Sequence, residues 1–146
     1  MFRKLIATSG SWAPIPLRLA LAAVFIGHGA QKVLGSFGGP GFSTFTSGQT
    51  PFPFMRPAWL WLSAAAFSEL VGGILLLLGL LTRVAAFFIG CTMLTAVLGV
   101  HLRMGFFMPR GFEYALTLLA GSVALLISGG GAASVDRALS ASAGRR

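Results

Sequence analysis

Four long apolar runs, each interrupted by very few polar residues, set the pattern of this chain. The first, LRLALAAVFIGHGAQKVLG, is greasy in its first half and carries His28, Gln31 and Lys32 in its second. At 100° per residue those three share one face of a helix. A second run, Ala58 to Leu81, holds a single charge, Glu69, near its middle, with Ala65, Ala66, Gly72 and Gly73 around it. The third, Val84 to Leu102, ends in His101, and the fourth opens on Glu113 and Tyr114. Runs of this length and polarity predict membrane-spanning helices over 15–34, 58–81, 84–102 and 113–128. The fourth is short for a span, which implies tilt or buried ends.

The joints between the runs set the topology. Thr82–Arg83 is a very short turn, so the second and third spans run antiparallel and side by side. Residues 35–57 are rich in Gly, Pro, Ser and Thr, which forbids a long regular helix. Phe37, Phe42, Phe45, Phe52 and Phe54 equally forbid a freely solvated linker. This segment reads either as a loop resting on the membrane surface, the favoured reading, or as a lid over the mouth of the bundle. A second Phe- and Met-rich loop covers 103–112, and the tail 129–146 reads as a surface helix or disorder. The fold class expected is all-α integral membrane, a four-transmembrane-helix antiparallel bundle forming one domain over 1–146.

Composition agrees. The 146 residues are 55% hydrophobic and 10% charged, against roughly 25% charged in soluble domains. The net charge of +8 raises nucleic acid as a partner. The basic residues sit singly at the ends of apolar runs, however, which is the pattern of topology signals and lipid-headgroup contacts. No nucleic-acid partner is expected. The basic lead before the first run has the outline of a secretory signal, but His28 and Lys32 on a continuing helix indicate a retained span. Arg3, Lys4, Arg18, Arg83, Arg137, Arg145 and Arg146 fall on the side of both termini, against Lys32, Arg56, Arg103 and Arg110 on the other. The positive-inside rule then puts both termini in the cytoplasm. Cys91 is the lone cysteine, which excludes an internal disulfide and any CxxC pair.

With four alternating spans, His28, Lys32, His101, Glu113 and Tyr114 all belong to the outer half of the membrane. Glu69 lies deeper, about 15 Å from the start of its helix. Ionisable groups in hydrocarbon are costly and face partners or water, so this convergence marks a candidate site. Each residue also has a plain structural reading. Glu69 can lock the bundle by pairing with Lys32 or His28; His101 can anchor the interface; Arg103 and Arg110 can touch headgroups. Glu113 and Tyr114 can simply cap and anchor the fourth helix.

The runs LRLALAAVFIGHGAQKVLGSFGGPGF, FSELVGGILLLLGLLTRVAA and GFEYALTLLAG resemble the DoxX family of small four-helix membrane proteins. The resemblance spans about Arg18 to Ser128. It rests on HGxQK at His28–Lys32, E-x-x-GG-x-x-L-x-x-G at Glu69–Gly79, TR at Thr82–Arg83, and EY at Glu113–Tyr114. It implies a protein of the bacterial plasma (inner) membrane, similar to subunits tied to thiosulfate:quinone oxidoreduction and to thiol or oxidative-stress complexes.

Two functions stand nearly level. In the first, the chain is a membrane subunit of a quinone-linked oxidoreductase or thiol redox complex. A quinone needs an apolar slot, hydrogen-bond donors and a proton route. Glu69 and His28 are the candidate catalytic residues; His28, Gln31, Lys32, His101, Glu113 and Tyr114 are the candidate quinone contacts. No G-x-G-x-x-G follows a strand, so electrons come from a protein partner or a soluble donor. In the second, the chain is a non-catalytic membrane anchor or assembly partner whose polar cluster is purely structural. A homo-oligomer is compatible with either. Haem ligation by His28 and His101 is disfavoured by their different depths, and no metal site is expected. A transporter is disfavoured by the lack of internal repeats.

Overall fold

The computed structural model describes residues 6–143, which form helices and connecting segments with no strand. The expected basic positions Arg3, Lys4, Arg145 and Arg146 lie outside the described residues. Helix α1, Pro14–Leu34, begins with prolines in its first turn, where a missing N–H costs nothing. It ends at Gly35, which takes the left-handed conformation and returns its N–H to the Ala30 carbonyl. A short 3₁₀ turn, Ser36–Gly38, and helix α2, Gly41–Thr46, follow. Helix α3 covers Ala58–Leu78. Helix α4 starts at Thr82 and runs to Thr95, then loosens into a π-helical stretch, Ala96–His101, and a final 3₁₀ turn, Leu102–Met104. Helix α5 is Glu113–Ser128, and the tail folds as helix α6, Val135–Ala143.

Among the described residues, three helices are long and apolar enough to cross a membrane: Pro14–Leu34, Ala58–Leu78 and Thr82–Met104. The apolar α5 is shorter. α1 packs on α3, α3 on α4, α4 on α5, and α5 returns to α1, the last being the thinnest of these contacts. All four contribute to one core, including Phe25 of α1, Leu76 of α3, Ile89 of α4 and Leu125 of α5. Phe67, Val71, Leu77, Phe87, Phe88, Leu98, Val123 and Ile127 point outward and exposed. That surface suits hydrocarbon and would be a liability in water.

The segment 35–57 does not lie loosely on a surface. Gly39 sits against the Gln31 backbone, and Gly99 leaves room for Pro51 and Phe52, where a Cβ would come within 2.6 Å of Pro51. Phe42 packs on Phe67 with ring centroids 5.5 Å apart. The segment is thereby folded over one end of the helices, with Phe45 and Phe52 half-buried and Phe37 and Phe54 left exposed.

Candidate functional site

Lys32 and Glu69 meet because two helices touch backbone to backbone. A Cβ on Gly29 would collide with the Leu70 backbone, and one on Gly73 would lie 2.8 Å from the Ile26 nitrogen. Small residues are how helices approach closely in a bilayer. Lys32 stands one turn beyond Gly29 and Glu69 stands beside Leu70, so this contact delivers the ammonium onto the carboxylate. The Lys32 ammonium donates to both carboxylate oxygens. Glu69 is 2% exposed and Lys32 24%; the anion is sealed and the cation reaches outward. The ammonium also lies 5.4 Å from the centre of the Phe45 ring, a cation–π distance. An ammonium has three N–H donors, so one remains after the carboxylate is satisfied.

Above the pair is a cavity of about 360 Å³. Buried apolar groups, Phe25, Met93 and Leu118, form its floor. Phe45, Gln49 and Pro51 of the folded-over segment form its roof. His28, Lys32, Glu69, His101 and Tyr114 bring polar atoms to its wall. The π-helical stretch of α4 runs along one side and contributes Ala96, Val100 and His101. Loosened turns of this kind are frequent where a helix lines a site. His101 Nδ1 is 2.9 Å from the Arg110 carbonyl oxygen. A carbonyl only accepts, so Nδ1 carries the proton and, in the neutral ring, Nε2 is an acceptor. The floor is braced by a hydroxyl–hydroxyl bond of 2.7 Å between Ser68 and Thr92 across α3 and α4.

The expected residues therefore divide. His28, Lys32, Glu69, His101 and Tyr114 line one cavity. Gln31 does not; it lines a separate, smaller one of about 280 Å³. Glu113 lines neither, so the structure does not bring it together with the others. Its carboxylate accepts from the Met108 N–H at 2.7 Å, and its own N–H donates to the Phe106 carbonyl. It winds the loop 105–112 together. Adjacent helical residues point about 100° apart, so Tyr114 can face the cavity while Glu113 faces the loop.

Sequence reasoning missed a second polar cluster at the opposite end. Arg18, 4% exposed, donates to the carbonyls of Gly130 at 2.7 Å and Ala133 at 2.8 Å. Asp136, 1% exposed, accepts from the N–H groups of Leu81 at 2.7 Å and Thr82 at 2.9 Å. It caps the start of α4 from α6, a position where an anion suits the helix end.

Compared with known proteins, residues 13–102 match the family described as DoxX. The match includes His28, Gln31, Lys32, Glu69 and His101 but stops before Glu113 and Tyr114, short of the expected Ser128. No curated protein and no solved structure matches the chain. With more than half its length matched, the chain belongs to the DoxX family.

Proposed function

We propose that this member of the DoxX family is a membrane subunit of a quinone-linked redox complex that holds the quinone ring in the cavity above Lys32 and Glu69. One observation carries the reading: an apolar cavity of about 360 Å³ whose polar wall is built by a sealed anion and a cation with a donor to spare. That volume is at the small end of ligand pockets, roughly 300–1,000 Å³, and suits a ring rather than a large substrate. The free Lys32 N–H is the donor for a quinone carbonyl. Tyr114 and His28 are available for the other. Glu69 holds the Lys32 ammonium in place and, in this reading, is the carboxylate that exchanges protons with the ring. A bound quinone supplies acceptance of two electrons and two protons; the electrons come from a partner protein.

In this reading α5 crosses the membrane as a fourth span, completing a four-transmembrane-helix antiparallel bundle, with all of 1–146 as one membrane domain. The membrane is the bacterial plasma membrane, and both termini are cytoplasmic by the count of basic residues. The exposed Phe37, Phe54, Phe106 and Phe107 at the cavity end are the surface for the partner.

A second reading, an assembly partner without a ligand, is favoured by the complete pairing of Glu69 with Lys32. Gentle detergent extraction followed by lipid analysis separates the two. Quinone is expected to copurify with the wild-type chain and to be lost from folded His28→Ala and Glu69→Gln variants. Absence of quinone from wild type, or equal retention in the variants, overturns the redox reading.

A further inference from the structure

The smaller cavity of about 280 Å³ is on the outer side of the seam between α1 and α5, lined by Ala23, Val24, Gly27, Gln31 and Phe37. It shares His28 and Tyr114 with the main cavity, so these two side chains are the common wall. Among the described residues neither side chain makes a hydrogen bond, and both are exposed. Parting them therefore breaks no hydrogen bond within the protein and leaves either one for the ring carbonyl. The seam they close is also the thinnest helix contact around the core. A Cβ on Gly27 would meet nothing within 4 Å, so the groove has open space at its middle.

We infer that the ligand is a tailed molecule, its polar ring in the main cavity and its apolar chain leaving through the α1–α5 seam, between His28 and Tyr114, into this groove and the bilayer. The inference rests on the proposed quinone reading and adds the path that the hydrocarbon chain of the quinone takes out of the cavity. An apolar chain needs a continuous apolar exit, and Ala23, Val24 and Gly27 offer short side chains along one.

The test compares two probes, a decyl-substituted benzoquinone and the same ring without the chain. Their binding to the purified full chain is read by quenching of tryptophan fluorescence or by calorimetry. Gly27→Phe fills the groove, and Gly27→Ala is the folding control, since alanine is favoured over glycine inside a helix. Wild type and Gly27→Ala are expected to bind both probes. Gly27→Phe is expected to lose about tenfold or more for the decyl probe and little for the bare ring. Equal loss of both probes, or loss of neither, overturns the tail route while leaving the ring site standing. If wild type binds neither probe, the quinone reading itself fails and the tail route with it. Displacement of the decyl probe by phospholipid alone marks the groove as ordinary lipid contact and also overturns the inference.

Discussion

The two ends of the molecule each bury charge, and they do so differently. At the Arg18–Asp136 end, the polar atoms are spent on the backbone. Arg18 serves carbonyls before α6, Asp136 serves the first N–H groups of α4, and Arg83 serves the last carbonyls of α5. The groups that Asp136 and Arg83 serve are the orphans every helix leaves at its ends, those of Arg18 belong to the connection before α6, and a charged side chain satisfies both kinds well. At the Lys32–Glu69 end, no helix terminus is being repaired. The pair sits in mid-helix on α3 and near the end of α1, opens on a cavity, and stands beside His28 and Tyr114, which hold no partner among the described residues. Buried charge at the first end mends backbone; at the second it faces a void with a donor left over.

The strongest way to break this contrast is to remove one member of the pair. Glu69→Leu leaves the Lys32 ammonium against an apolar wall, and breaking such a pair typically costs about 3–5 kcal/mol. A large fall in thermal midpoint in detergent is expected. Lys32→Met combined with Glu69→Leu removes both charges and is expected to recover most of the loss, because an apolar pair of similar volume avoids desolvation. The double variant is nonetheless expected to lose quinone. A double variant that is stable and keeps quinone makes the pair a lock and nothing more.

How far the chain could be read beforehand follows the same division. His28, Lys32 and Glu69 stood out because a charge inside an apolar run has no cheap explanation. The helices themselves were legible from run length, with α1 and α5 read within a residue of their bounds. Arg18 and Arg83 were read as topology charges, since a cation at the end of a run fits that role equally well. Asp136 gave no signal: its partners Leu81 and Thr82 are backbone groups of a distant helix start, which no spacing reveals. The roof is legible only as the less favoured lid, for a related reason. Gly and Pro in 35–57 say where helices stop, whereas the fit of Pro51 and Phe52 onto Gly99 is a property of shape. Glu113 and Tyr114 are neighbours in sequence, but a one-residue step of about 100° on the helix sends their side chains apart.

A smaller effect is expected at the opposite end from Asp136→Ala. Two N–H groups at the start of α4 lose their acceptor inside the protein, and caps of this kind cost about 2 kcal/mol at most. Arg18 also loses a nearby negative charge. The thermal midpoint is expected to fall by several degrees, with the quinone content of the purified protein unchanged. Loss of quinone together with the cap would mean that the two ends communicate, and the contrast would then need a coupling between them.

The smallest effect is expected from Arg83, and it sharpens what kind of interaction holds that end. Its guanidinium donates to the carbonyls of Ala7 at 2.9 Å, Leu126 at 2.7 Å and Ile127 at 2.8 Å. Leu126 and Ile127 are in the last turn of α5, where the helix presents partial negative charge. Part of this site is exposed, so water can take over the freed carbonyls, and Arg83→Gln is expected to cost only about 1 kcal/mol. Arg83→Lys keeps the charge but loses the planar fork that reaches three acceptors at once. If the fork matters most, the lysine variant falls nearly as far as glutamine, and added salt changes neither midpoint. If charge against the helix end dominates, lysine recovers most of the loss and the difference from glutamine shrinks as salt is raised.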